Sequence, residues 1–218
     1  MLMEHTPFRN FKTKIMNFLS KEQLAFYKEN GYLHIPDFYS SSDIQRIREA
    51  TNNCAAVEGI RVIYEEDGET IRSIMSYHDK NDTLEEYTND LKVLNVDSDL
   101  IPYDVYVSLS KINIKKGNEK GKKWDIHRGY TYWNLLDGMP NQDMISVFVY
   151  LTDQTVENGA VFGLPKSHKN ISVDTIKEES MISGGREQDT AANLSIQIKE
   201  KYVNQFDEDF ETKYFTGK

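Results

Sequence analysis

The chain has 218 residues, enough for one domain with a real core. Hydrophobic residues make up 39% and charged residues 28%, the balance of a soluble globular protein, and no run approaches the ~18 apolar residues of a spanning helix. A net charge of -9 argues against sequence-independent nucleic-acid binding, which needs a basic surface. Met1 to Phe11 lacks the apolar core of a signal peptide, and Cys54 is the single cysteine, so a reducing cytoplasm is the expected compartment.

Ser20-Lys21-Glu22-Gln23 predicts a capping box and a helix of about ten residues that stops at Gly31. Tyr32 to Pro36 reads as a short strand. Ser41-Ser42-Asp43 caps a second helix with Ile44, Ile47 and Cys54 at helical spacing. Arg61–Ile63 and Thr70–Met75 flank Glu66-Asp67-Gly68-Glu69, a hairpin signal. Thr83 to Val93 predicts a helix, Tyr103 to Ile114 a long strand, and Lys115 to Lys123 a solvated loop. Ile145 to Leu151 predicts a buried strand, and Asn158-Gly159 turns into another at Ala160–Leu164. A mobile loop over the site is expected from 170 to 188, then a weak helix from Asn193 to Tyr202.

The stretch from Trp124 to Lys169 carries the chemistry. It reads Trp124-Asp125-Ile126-His127-Arg128-Gly129-Tyr130-Thr131-Tyr132-Trp133, then Asp137-Gly138-Met139-Pro140, Asn158-Gly159 and Leu164-Pro165-Lys166-Ser167-His168-Lys169. In order and spacing it resembles the phytanoyl-CoA dioxygenase family of iron(II)/2-oxoglutarate oxygenases, in particular its ectoine-hydroxylase-like branch. Members carry His-x-Asp, a Trp, Asp-Gly-Met-Pro, an Asn-Gly turn and Pro-Gly-Ser-His-Lys. Gly129 stands where they have the metal-binding Asp.

The resemblance implies a mostly β fold with flanking helices, a double-stranded β-helix (jelly roll, cupin-like) whose strands close round a pocket. Residues 1–218 then form one domain. It has a helical and hairpin part at 1–100, core strands with the metal motif at 103–169, and a lid loop and helix at 170–213. The last core strands, with a second His and an Arg for 2-oxoglutarate, are absent from the 218 residues.

The resemblance also implies Fe(II), 2-oxoglutarate and O2, with His127 as first metal ligand. In extended chain, residues i and i+2 share a face, so Gly129 leaves the carboxylate position vacant. Related halogenases have Gly or Ala there and hold a halide in its place. Chloride restores the lost negative charge, and the substrate carbon takes chlorine rather than hydroxyl. A halogenase of an unactivated C–H in a small polar, amino-acid-like substrate is therefore the leading expectation. A hydroxylase with Gly129, native or engineered, and an inactive jelly-roll binding protein stand beside it. So does Asp125 as a substitute ligand, two residues before His127.

Other positions carry over singly. Lys111, Asn113 and Trp124 match residues about the cosubstrate, and Trp133 matches a substrate-contacting Trp. Tyr130, Tyr132 and Arg186 are candidate substrate contacts. Leu109 replaces a polar residue that touches substrate in ectoine hydroxylase, which argues against ectoine. The expected partner is a small molecule, with no nucleic acid and no membrane. The oligomeric state stays open between monomer and homodimer.

Overall fold

The computed structural model describes residues 18–65, 67–115, 127–170, 180–183, 195–199, 202 and 210–217. Helix α1 (Lys21–Asn30) starts as its sequence dictates. Ser20 Oγ accepts from the Gln23 amide at 3.2 Å, and Gln23 Oε1 accepts from the Ser20 amide at 2.9 Å. Gly31 ends the helix in left-handed backbone, φ 79°, its N–H donating to the Tyr27 carbonyl at 2.7 Å. Helix α2 (Ser41–Cys54) repeats the capping box with Ser40 and Asp43.

The main core lies under α2. Its Ile47 and Cys54 pack with Ile74 and Leu84, all buried. Each such aliphatic side chain contributes roughly 1.5–3 kcal/mol on burial. Ile74 belongs to a three-stranded antiparallel sheet in the order β1-β2-β3: β1 (Arg61–Tyr64), β2 (Ile71–Met75) and β3 (Lys111–Asn113). The β1–β2 turn forms because Asp67 Oδ1 accepts from the amides of Glu69 and Thr70, at 2.9 and 2.8 Å, while Gly68 takes φ 70°. Across β2 and β3, Ile74 faces Ile112 on the core side. Ser73 faces Asn113 and Met75 faces Lys111 on the other.

The helix expected over 83–93 is two helices, α3 (Asp82–Thr88) and α4 (Leu91–Leu100). Asp90 makes the break: its side chain accepts from the Lys92 amide at 2.8 Å and starts a new helix instead of continuing the old one. In α4, burial pushes the Asp97 carboxyl up to about 6.

Helix α5 (Gly129–Asp137) carries the motif region. Small ladders then pair β4 (Phe162–Gly163) with β7 (Lys213–Tyr214), and β5 (Ser180–Ser183) with β6 (Ser195–Ile198). The weak helix expected from 193 to 202 is therefore strand over 195–198, and most of the expected 170–188 loop lies outside the described residues.

A jelly roll is not what forms. Among the described residues helix outweighs strand, and the three sheets, of three, two and two strands, do not close on one another. The arrangement is α+β. The long strand expected at 103–114 is ladder only at 111–113, and 32–36 is not strand. The run 145–151 is not strand either, and its Val147 and Phe148 are more than half exposed. Apolar alternation shows only that a stretch fits a sheet; a ladder also needs a distant partner for every N–H and C=O.

The Leu164–Lys169 segment clamps the end of α1. The Lys166 amide donates to the Asn30 carbonyl at 2.9 Å, and His168 Nε2 donates to the Lys28 carbonyl at 3.2 Å. Lys166 and Lys169 both pair with Glu29. The His168 ring lies so close to Gly31 that a Cβ there would come within 2.4 Å of Nδ1. Gly31→Ala meets both the left-handed backbone and this ring. It is expected to lose ~1–2 kcal/mol of stability in urea denaturation. A loss-free Gly31→Ala would show that the clamp does not depend on close approach.

Candidate functional site

Two groups of side chains are candidates for a site. The first is on the sheet face opposite the main core. Lys111 and Asn113 sit at i and i+2 of β3 and share that face. Asn113 Oδ1 accepts from the buried Ser73 Oγ at 3.2 Å, which fixes the amide so that its NH2 is presented away from Ser73. Burial first, and the positive charge of Arg72 second, bring the Lys111 ammonium down to about 8. Arg72 is itself held by both carboxylate oxygens of buried Glu65, at 3.1 Å each. Lys115 is lowered by burial first and Arg72 second, and it donates to the Gly159 carbonyl. The exit of β3 is thereby tied to the Asn158-Gly159 turn. Just before β3, buried Ser110 is hydrogen-bonded to His78 Nδ1 at 2.7 Å. A cation and an oriented amide side by side suit a carboxylate.

The second group is the start of α5. His127 is exposed, Arg128 is the N-cap residue with extended backbone, and Gly129 is the first helical residue. Arg128 donates to the Ser167 carbonyl at 3.3 Å, which anchors this end to the α1 clamp. Tyr130 is buried; its hydroxyl donates to the Met139 carbonyl at 3.3 Å and accepts from Asn134 Nδ2 at 3.2 Å. Asn134 also donates to the Met139 carbonyl, at 2.9 Å. Gly138, φ 71°, ends the helix, and the Met139 amide donates to the Trp133 carbonyl at 3.1 Å. Asp137-Gly138-Met139-Pro140 is therefore a helix stop. Thr131 is 1% exposed and its hydroxyl has no hydrogen-bond partner.

Of the residues singled out in the sequence, Lys111 and Asn113 come together, and His127, Gly129, Tyr130 and half-buried Trp133 share the α5 region. Leu109 lies beside Ser110 and is 36% exposed. Trp124, Asp125 and Arg186 lie outside the described residues, as does the side chain of Tyr132. Ser73, Arg72 and Thr131 were not singled out. The first two become visible once the Asp67-Gly68 turn sets the β1–β2 register and places Ser73 beside β3. Nothing in the sequence marks Thr131.

The face-sharing of His127 and Gly129 required extended backbone, and the helix that begins at Gly129 removes it. Among the described residues no three His, Cys, Asp or Glu side chains gather to hold a metal. His127 supplies one donor and Gly129 none, so these residues do not by themselves fit an iron ion.

The profile described as Phytanoyl-CoA dioxygenase (PhyH) matches residues 27–200, and the chain belongs to that family. Ectoine dioxygenase of Sphingopyxis alaskensis is 28% identical over 155 residues, 69% of this chain and 50% of that protein. L-proline trans-4-hydroxylase of Streptomyces griseoviridis is 24% identical over 192 residues, 88% of this chain and 71% of that protein. The crystal structure of EctD from S. alaskensis with 2-oxoglutarate and 5-hydroxyectoine superposes with a TM-score of 0.71 at 22% identity. The match covers 92% of this chain and 64% of that one, a likeness of fold. The chain spans about half the length of the ectoine dioxygenases it matches.

These relatives overturn the halogenase expectation. They are named as a dioxygenase and a hydroxylase, and neither a chloride site nor a metal cluster gathers among the described residues. Gly129 opens a helix and does not vacate a position on a strand. No helix among the described residues is long and apolar enough to cross a membrane.

Proposed function

We propose that the chain is part of an iron(II)- and 2-oxoglutarate-dependent hydroxylase acting on a small, polar, amino-acid-like molecule. The family membership supports the reaction class. The observation that carries it on this chain is the Lys111–Asn113 pair, a half-buried cation beside an oriented amide. In this reading Lys111 holds a carboxylate of 2-oxoglutarate by charge, and Asn113 donates to a second oxygen of it. When bound, iron and 2-oxoglutarate supply with O2 the oxidising power for C–H hydroxylation. His127 would supply one metal ligand, and Asp125, which lies outside the described residues, is the sequence candidate for another. Tyr130 and Asn134 hold the α5 turn so that Trp133 is fixed for substrate contact. The named activities of the relatives, on ectoine and on L-proline, support a small cyclic amino-acid-like substrate. Leu109, in place of a polar contact, disfavours ectoine itself.

A calorimetric titration tests this. Adding 2-oxoglutarate to the metal-free chain is expected to show saturable binding, and Lys111→Met to weaken it. A chain that takes up no 2-oxoglutarate, or a Lys111→Met variant that binds it as tightly, would overturn the cosubstrate role of the Lys111–Asn113 pair.

A further inference from the structure

We propose that Ser73 is a positioning residue that makes the Lys111–Asn113 pair select a carboxylate against its carboxamide. This deepens the cosubstrate reading above and rests on it. Ser73 lies in β2, the middle strand of the three-stranded sheet, so its place is fixed from both sides. It faces Ile63 of β1 and Asn113 of β3. Its side chain is 0% exposed, and Ile63 beside it is buried too. Ile63 is apolar and gives a hydroxyl nothing to bond. An apolar residue in place of Ser73 would leave no hydroxyl to desolvate. What the hydroxyl does there is donate to Asn113 Oδ1, 40 positions on in sequence, at 3.2 Å.

That bond sets the polarity of the site. A side-chain amide has an acceptor on one arm and two donors on the other, in nearly the same shape. Turned over, Asn113 would face Ser73 with its NH2. The serine proton would then lose the acceptor it has, at a fully buried position, where an unmade bond is most costly. With Oδ1 held inward, the NH2 is the arm left for a ligand. Lys111, two residues earlier on the same strand face, adds an ammonium, which has donors and no acceptor. A carboxylate has acceptors only and one negative charge, so it suits both residues. A carboxamide of the same shape offers one accepting oxygen in place of two and turns its own NH2 toward a donor. A site built to bond a group discriminates strongly against the isostere that cannot pair. Removing the Ser73 hydroxyl frees the Asn113 amide to turn and present its oxygen. Selectivity is then lost over and above affinity.

The test is an NMR titration of the full chain, metal-free with chelator present, with glutarate and with its diamide at constant ionic strength. Neither probe carries the keto group of 2-oxoglutarate. The side-chain NH2 resonances of Asn113, assigned by their absence from Asn113→Ala, report contact. In the parent, glutarate is expected to move them saturably and to bind about tenfold more tightly than the diamide. Ser73→Ala is expected to narrow that preference about fivefold, with the diamide bound as well as before or better. In the Asn113→Ala background the same substitution is expected to leave the preference unchanged, which a general loosening of the sheet would not do. A parent that binds the diamide as tightly as glutarate, a Ser73→Ala variant with the parent's preference, or an equal narrowing in the Asn113→Ala background each overturns the proposal. A parent that binds neither 2-oxoglutarate nor glutarate overturns the cosubstrate reading and this one with it. A parent that binds 2-oxoglutarate through Lys111, while Ser73→Ala keeps the full preference, removes the selectivity role alone.

Discussion

Replacing Arg72 by Met is expected to cost ~3–5 kcal/mol of stability, the largest loss from any single change considered for this chain. Arg72 and Glu65 are both buried, with side chains 7% and 8% exposed, and both carboxylate oxygens accept from Arg72 Nη1 at 3.1 Å. Arg72→Met leaves the Glu65 carboxylate in the same low-dielectric place with its cation gone. The cost is that of an uncompensated buried charge, not the net worth of the pair. The double variant Glu65→Leu/Arg72→Met removes both charges and is expected to recover to within ~1 kcal/mol of the parent. Urea denaturation of the parent, both single variants and the double variant gives the cycle. A double variant as unstable as Arg72→Met would show that Arg72 acts through packing instead. A second readout is independent of stability. Arg72 is one cause of the lowered Lys111 ammonium, so the variant is expected to move Lys111 back up toward its ordinary range.

This pair also marks the boundary of what was legible in the sequence. Features whose cause lies within a few residues were legible. The Ser20–Gln23 box, the Ser40–Asp43 start one residue before the expected cap, the Gly31 stop and the Asp67-Gly68 turn all form as read. The core face of α2 forms too, because helical spacing alone decides which of its residues point inward. Features whose cause is distant were not. Glu65 and Arg72 are seven positions apart in sequence and meet because the hairpin folds them together, but their burial depends on what covers the sheet. The nearly continuous β-rich run of 145–151 is that of a buried strand, yet no ladder forms there.

Helix α5 is the instructive miss. Its residues Gly-Tyr-Thr-Tyr-Trp-Asn are weak helix formers, so local preference argued for extended chain. Tertiary bonds decide otherwise: Tyr130 and Asn134 both reach the Met139 carbonyl, and Gly138 closes the turn. The available signal was Gly138 followed by Pro140, an ordinary helix stop, hidden inside a motif read for its family resemblance. The same holds for Ser167-His168-Lys169. His168 of that motif closes the end of α1. In the candidate site, alternation placed Lys111 and Asn113 on one face, and the family resemblance singled them out. What tunes it, Arg72 behind and Ser73 alongside, required the strand register.

That tuning makes Lys111 the most informative position for function. If Lys111 holds a carboxylate of 2-oxoglutarate, Lys111→Met keeps the aliphatic stem and removes the charge. A hydrogen bond to a charged group is worth ~1.5–3 kcal/mol, so the dissociation constant for 2-oxoglutarate is expected to rise ~10–100-fold. The pH dependence follows from the lowered ammonium. Lys111 is cationic below about 8 and neutral above it. Affinity should therefore hold on the acid side and fall by up to about tenfold per pH unit on the alkaline side. An arriving carboxylate favours the protonated form, so binding just above the midpoint must take up a proton. Calorimetry in buffers of different ionisation enthalpy reads that proton directly. Lys111→Met is expected to lose both the proton uptake and the alkaline fall, while Lys111→Arg keeps the charge and flattens the profile. A parent protein whose affinity stays level through this range, or a Lys111→Met variant that binds as tightly, would place the cosubstrate elsewhere and leave Lys111 as a half-buried cation of the sheet alone.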